Sequence, residues 1–163
     1  MKIDVRTAVV LSDKTGQKLL LLRRSATKKL LPNLITGIGG KVELEIGEGE
    51  DIEKSLLREL AEEVPQIHIK DIENFKARLV TSSSRNNTHY VIFWFTGRLS
   101  VNLTDLSCED GVLEWHSIDN LPIDGMTNAA KGAIPFMSKL QDIDGKFYDG
   151  VYNSQTGELL VSK

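Results

Sequence analysis

Residues 37–64 of the chain read GIGGKVELEIGEGEDIEKSLLRELAEEV, and this stretch is the most informative about the fold. Its second half predicts an α-helix over residues 51–64, with Asp51 as the N-cap and Pro65 ending the helix. At 100° per residue, its apolar side chains share one arc of roughly 100°. These side chains are Leu56, Leu57, Leu60 and Val64. We therefore expect one face of the helix to pack against a core.

An adjoining arc of the same helix carries Glu59, Glu62 and Glu63. At spacings of three and four residues the carboxylates are neighbours, and each like-charge pair costs a few tenths of a kcal/mol. A hard divalent cation such as Mg²⁺ would remove that cost, since it prefers carboxylate oxygens and phosphate co-ligands. Arg58 lies beside the arc and could hold one carboxylate in place. The alternative interpretation is a solvated acidic helix face.

The stretch begins with a segment that is rich in glycine and ends in a lysine: Gly37, Gly39, Gly40 and Lys41. Glycines let a backbone approach a ligand closely, and the lysine offers a positive charge to a phosphate. Two common phosphate motifs do not fit. A P-loop needs glycine where Ile35 stands and Ser or Thr after Lys41, and the dinucleotide pattern needs a glycine where Val42 stands.

These residues together resemble the Nudix hydrolases, whose box is Gly-x5-Glu-x7-Arg-Glu-U-x-Glu-Glu-x-Gly-U, with U an aliphatic residue. The positions that match in register are Glu50, Arg58, Glu59, Leu60, Glu62 and Glu63. The chain departs from the box at Leu44 and Pro65, which replace its glycines, and at Gln66, which replaces its last aliphatic residue. Gly40 serves as the first glycine if the Gly40–Glu50 loop carries four extra residues within 44–48.

The resemblance implies an α/β fold, a Nudix-type α/β/α sandwich with a mixed sheet. It also implies hydrolysis of a nucleoside diphosphate linkage with Mg²⁺, or Mn²⁺ as a substitute. The implied metal ligands are Glu59, Glu62, Glu63 and the Gly40 carbonyl, with Arg58 orienting a carboxylate. The base that activates water is then Glu62 or Glu63, with Glu109 or Asp110 as the second choice.

The likeness extends beyond the box to the oxidised-purine nucleoside triphosphate diphosphatases. It rests on the Gly-Gly-Lys-Val-Glu lead-in at 39–43, on the segment WHSIDNLP at 115–122 and on a terminal hairpin after a helix. That branch reads the base with a Trp-Asn pair and a Trp-Pro-Asp-Asp stretch. Here Ile35-Thr36 and Thr127-Asn128-Ala129-Ala130 stand at those places, so the aspartates that would read an oxidised purine are missing.

Substrate contacts follow from the same alignment and from charge. Thr36 and Asn128 are the expected base contacts, and Lys41 and Arg23, with its neighbour Arg24, are the expected phosphate contacts. The reaction that the resemblance favours converts a nucleoside triphosphate to a monophosphate and pyrophosphate. Two alternatives stay open: hydrolysis of another diphosphate, such as ADP-ribose, a nucleotide sugar or a dinucleoside polyphosphate, and a non-catalytic nucleotide-binding Nudix module.

The rest of the chain reads as strands around two helices, which indicates a mixed sheet with helices on its faces. A second helix is expected over 128–140 and a polar loop over 81–87. Strands are expected over 5–12, 18–24, 35–38, within 67–80, 88–97 and 112–116, with a terminal hairpin of 147–152 and 158–162.

Composition limits the function classes. The 163 residues suit one domain, 1–163, and the net charge of −3 argues against a broad surface for a nucleic-acid polymer. The single cysteine, Cys108, excludes an intrachain disulfide. The sequence shows neither a signal peptide nor an apolar run of membrane-span length, so we expect a cytoplasmic enzyme with no membrane partner, as a monomer or homodimer.

Overall fold

A computed structural model describes residues 1–43, 51–140 and 145–162. Within these residues it contains a nine-stranded sheet, two α-helices and two short 3₁₀ turns at Ile69–Asp71 and Ile123–Gly125. The first four strands are β1 (Lys2–Ser12), β2 (Lys18–Arg24), β3 (Ile35–Thr36) and β4 (Ile38–Lys41). The others are β5 (Ile72–Arg85), β6 (Thr88–Leu99), β7 (Gly111–Ser117), β8 (Tyr148–Tyr152) and β9 (Leu159–Val161). The helices are α1 (Ile52–Glu63) and α2 (Asn128–Ser138).

The sheet is mixed and has the order β3-β2-β1-β6-β5-β8-β9, with β4 pairing with β1 and β7 with β2. Strands β1 and β6 are parallel, as are β5 and β8, while the other pairs are antiparallel. One edge of β1 has two partners: Leu11 and Ser12 pair with β2, while residues 6–9 pair with β4. This division of β1 between two strands places the glycine-rich β4 beside the middle of the sheet.

The two helices cover opposite faces of the sheet, so the expected α/β/α sandwich is confirmed. Helix α1 buries Leu56, Leu60 and the adjoining Val64 against one set of strand residues, as its apolar arc predicts; Leu57 is half-buried. Helix α2 packs on the other face. Its buried side chains are Ala130, Ala133, Ile134 and Met137.

The prediction of a polar loop over residues 81–87 is wrong, because β5 continues to Arg85. The strand pairs with β6 as far as Arg85 and Thr88, and Asn86 and Asn87 close the hairpin at φ 50° and 59°. Asparagine tolerates this left-handed conformation better than most residues. The polar run stays in the sheet because its side chains find partners there: the buried Thr81 hydroxyl accepts a hydrogen bond from Trp94 Nε1 at 3.0 Å.

Candidate active site

Helix α1 presents its three glutamates at very different depths. Glu63 is buried at 9 % exposure. The side chain of Glu59 is 15 % exposed, and that of Glu62 is 59 % exposed. The helix begins as expected at Asp51, whose carboxylate accepts a hydrogen bond from the Lys54 backbone N–H at 2.8 Å. Because Leu56, Leu60 and Val64 pack against the sheet, Glu62 points to solvent while Glu59 and Glu63 are largely covered.

Glu59 lies directly against the backbone of β4. A β-carbon placed at Gly40 would lie 2.6 Å from Oε1 and 2.7 Å from Oε2 of Glu59. Real β-carbons essentially never approach another heavy atom so closely. Any side chain at residue 40 would therefore displace the carboxylate, so the glycine is what allows it to rest on the strand.

Arg58 links the glutamates to β4. Its Nη1 donates to Glu59 Oε1 at 3.1 Å and to Glu62 Oε2 at 3.3 Å, and its Nη2 donates to the Lys41 carbonyl at 3.4 Å. The guanidinium thus offsets the negative charge of two carboxylates and holds both near Gly40 and Lys41. This is the placement expected of a residue that orients a carboxylate.

Glu63 contacts a carboxyl from a distant part of the chain. Asp110, in the turn before β7, hydrogen-bonds to Glu63, and Lys28 pairs with Asp110 from the loop between β2 and β3. Burial raises the pKa of Glu63 to about 9, and the hydrogen bond and the negative charge of Asp110 act in the same direction. The hydrogen bonds from Glu63 and Lys28 lower the pKa of Asp110. Without a cation the pair therefore holds its proton on Glu63. The neighbouring Glu109 is exposed.

The chemistry of these groups fits a divalent cation in part. Glu63 Oε2 is buried and has no hydrogen-bond partner among the described residues, and Glu59 Oε1 and Oε2 lie against Gly40. Carboxylate and carbonyl oxygens are suitable ligands for Mg²⁺. Among the residues that the structure describes, however, no group of three or more acidic, histidine or cysteine side chains is already placed to hold an ion. Glu62, which bonds to Arg58, would have to rotate to join the other two. Glu50 and the extra residues at 44–48 lie outside the described residues.

A cleft of about 220 Å³ opens on the α2 face of the sheet and reaches Gly40. Its lining is largely apolar, with Ala8, Ile92 and Trp94 contributed by β1 and β6. The N-terminus of α2 contributes Asn128 and Ala129. The cleft therefore joins an apolar compartment to strand β4, against which the Glu59 carboxylate of α1 rests.

The cleft collects some of the expected substrate contacts and leaves others outside. Thr36 and Asn128 line it, as do Arg24 and Gly40, the latter expected as a metal ligand through its carbonyl. Arg23 does not line it, because successive side chains of β2 point to opposite faces of the sheet. The Nε of Arg23 donates instead to Glu114 Oε2 at 2.9 Å. Lys41 is exposed and also lies outside the lining residues of the cleft.

Several cleft residues were not identified from the sequence: Arg6, Arg85, Tyr90 and Tyr152. Burial raises the pKa of Tyr152, which comes from the terminal hairpin. For Arg6 a signal existed, because it is a charged residue within an otherwise β-forming run of β1. The others become neighbours only through the pairing of β5, β6 and β8, which no local pattern specifies.

The sequence matches the family model of the NUDIX domain over residues 2–139. Since this match covers most of the chain, the protein belongs to the Nudix family, and family membership supports a pyrophosphohydrolase. Nudix hydrolases generally use divalent metal ions. No curated protein matches the sequence.

Solved structures similar to this chain share its fold. A MutT protein from Bacillus halodurans is 21 % identical, with a TM-score of 0.60 over 96 % of this chain and 94 % of that one. An Ap4A hydrolase from C. elegans is 18 % identical, with a TM-score of 0.61 over 83 % and 91 %. The bifunctional NMN adenylyltransferase/ADP ribose pyrophosphatase of Francisella tularensis is 15 % identical, with a TM-score of 0.63 over 82 % and 40 %. At these identities the likeness shows the fold alone.

Neither helix in the described part of the chain has the length and apolar character needed to cross a membrane.

Proposed function

We propose that this protein hydrolyses a nucleoside triphosphate to the monophosphate and pyrophosphate with Mg²⁺. The observation that carries the proposal is the position of the cleft, which reaches Gly40 on one side of β4 while Glu59 rests on the same residue. A nucleoside in the cleft would place its phosphates beside the glutamates of α1.

In this proposal Glu59 and Glu63, joined by Glu62 and the Gly40 carbonyl, hold the metal ion. When bound, Mg²⁺ neutralises phosphate charge and favours in-line displacement. Arg58 keeps the carboxylate of Glu59 oriented, and Glu62 would leave its hydrogen bond to Arg58 when it joins the site. Asp110 positions Glu63 through their hydrogen bond, and Lys28 holds Asp110 in turn.

The reaction forms one bond between a water oxygen and a phosphorus atom and breaks the bond from that phosphorus to the departing pyrophosphate. The water proton would pass to Glu62 or Glu63, which lie on the same arc of α1, with Glu109 or Asp110 as the second choice. Arg24 and Lys41 would contact phosphate oxygens, and Thr36 and Asn128 would contact the base. Arg23, which pairs with Glu114, would first have to leave that ion pair to contribute.

The test is a substrate panel. Purified protein with Mg²⁺ is incubated with the common nucleoside triphosphates, 8-oxo-dGTP, ADP-ribose, a nucleotide sugar and a dinucleoside polyphosphate, and products are identified by chromatography. We expect monophosphate and pyrophosphate from triphosphates. Turnover confined to ADP-ribose, nucleotide sugars or dinucleoside polyphosphates would overturn the triphosphate assignment, and no turnover with any of them would leave a binding module.

A further inference from the structure

Within the cleft, one charged side chain is fixed by the fold. Arg6 lies on β1 between Lys41 of β4 and Ile92 of β6 in the register of the sheet. Its Nε donates to Asp4 Oδ1 at 2.8 Å, and its Nη2 donates to Asp4 Oδ2 at 3.3 Å. The side chain of Asp4 is only 9 % exposed, whereas that of Arg6 is 36 % exposed and lines the cleft. The buried Asp4 therefore orients the guanidinium of Arg6, and Arg6 faces the cleft.

Resting on the proposed function, we propose that Arg6 is a specificity-determining residue that selects an unmodified guanine base. The two bonds to Asp4 do not use Nη1, so the guanidinium keeps donors for a ligand. It has no acceptor to offer. A base recognised by Arg6 must present acceptors on the facing edge.

Among purines, guanine fits this requirement best. Its O6 and N7 are both acceptors, and a guanidinium binds them bidentately, whereas adenine presents an amino donor beside N7. In 8-oxoguanine N7 carries a hydrogen, so the same edge turns a donor toward the donors of Arg6. A buried donor left without an acceptor costs free energy, and this cost discriminates against the wrong base.

Other arginines at the cleft are less suited to this role. Arg24 lies at the end of β2, where its Nε donates to the Leu30 carbonyl at 3.1 Å, and Arg85 is exposed at the end of β5. Arg6 is in the middle of the sheet, and the partly buried Ile92 beside it on the same sheet face supplies apolar surface on which a base can rest. The preorganisation by Asp4 is what makes a directional contact possible, because a flexible side chain would lose entropy on binding.

The experiment measures kcat/KM for dGTP, 7-deaza-dGTP, dATP and 8-oxo-dGTP in the wild type and in Arg6→Met, Arg6→Lys and Asp4→Asn. The wild type should prefer dGTP over the other three by about 5- to 150-fold, the range for a bidentate contact. Arg6→Met should lower the dGTP value to that of dATP and leave the dATP value nearly unchanged. Arg6→Lys should keep only part of the preference, because an ammonium can donate to O6 and N7 but lacks the planar fork. Lys14→Met, in the exposed turn between β1 and β2, removes a charge far from the cleft and should change nothing.

Asp4→Asn tests the positioning role, since Asp4 itself does not line the cleft. It should reduce the ratio of dGTP to dATP without lowering the dATP value, and circular dichroism checks that the variant folds. An equal loss for all four nucleotides in Arg6→Met would show that Arg6 contacts phosphate and would overturn the assignment. So would a wild type that does not distinguish dGTP from 7-deaza-dGTP.

Equilibrium binding of the same nucleotides separates this inference from the proposed hydrolysis. Preferential binding of dGTP that Arg6→Met abolishes, without turnover, would support the inference and overturn hydrolysis. Hydrolysis without a base preference would support the proposed hydrolysis and overturn the inference on Arg6. Failure to bind any of the four nucleotides would overturn both.

Discussion

Gly40 and Glu59 come from different elements and share one small space, because the Glu59 carboxylate occupies the place where a side chain of residue 40 would begin. The distances from an ideal β-carbon at Gly40 to the two carboxylate oxygens are 2.6 and 2.7 Å. Strand β4 and helix α1 therefore pack closely where Glu59 lies against Gly40, and the candidate metal site depends on this contact.

The first prediction follows from this contact. Gly40→Ala should push the Glu59 carboxylate aside while the fold persists, since the end of a flexible side chain gives way easily. A displacement of about 1 Å at a catalytic group can cost on the order of 10²-fold in rate. We expect kcat to fall by that order with little change in melting temperature. Gly125→Ala, whose β-carbon would meet only Ile35 Cδ1 at 3.6 Å, is the matched control and should keep full activity.

The second prediction concerns the carboxylates themselves. Glu62→Gln and Glu63→Gln should each lower turnover with Mg²⁺ by orders of magnitude, because each removes a negatively charged oxygen from the acidic arc. Glu53→Gln, at the exposed start of the same helix, serves as the control. Steady-state kinetics at saturating Mg²⁺ or Mn²⁺ decides the matter: full activity of both variants would show that the arc is only a solvated face.

The third prediction concerns the stability of the metal-free protein. The pKa of Glu63 is raised from 4.5 to about 9, so the folded state binds more protons than the unfolded state between these values. The free energy of unfolding should therefore fall as the pH rises through this window, with a contribution of up to ~1.4 kcal/mol per pH unit. Glu63→Gln should flatten that slope and be the more stable protein at neutral pH. Denaturant unfolding in EDTA from pH 5 to 9 measures both slopes, and parallel slopes would contradict the assignment.

The fourth prediction addresses Arg58. Arg58→Ala should lower stability by about 0.5–1 kcal/mol, a discounted value because the ion pairs are partly exposed. It should also lower kcat, since Glu59 loses the group that orients its carboxylate. Lys54→Ala removes a positive charge one turn earlier, where the side chain is 80 % exposed, and should do neither. Unchanged stability and rate in Arg58→Ala would reduce Arg58 to a surface charge.

The fifth prediction concerns oxidised bases. By its resemblance to the oxidised-purine enzymes, the chain carries Thr36, Asn128 and Ala129 at the positions that would read the base, and none of them is an aspartate. Discrimination between 8-oxo-dGTP and dGTP should not exceed roughly 200-fold, the upper end of what pocket shape and single contacts provide. A ratio of kcat/KM of several thousand in favour of the oxidised base would mean that other residues read it.

Local patterns in the sequence determined the helix that carries the chemistry. Its cap at Asp51 and its buried face at Leu56, Leu60 and Val64 follow from residue spacing, because an α-helix is defined by contacts three and four residues apart. The same spacing places the three glutamates on one arc. The sandwich fold and the family followed from the box that these residues form, and both are confirmed.

Tertiary structure alone decided the rest of the site. Glu63 meets Asp110 and Lys28 because strands far apart in sequence bring their turns together, and Arg6 enters the cleft because β1 pairs with β4 on one side and β6 on the other. The strand through residues 81–85 was missed for the same reason. A strand gains its hydrogen bonds from a partner elsewhere in the chain, so its extent and its neighbours depend on long-range pairing that no local pattern encodes.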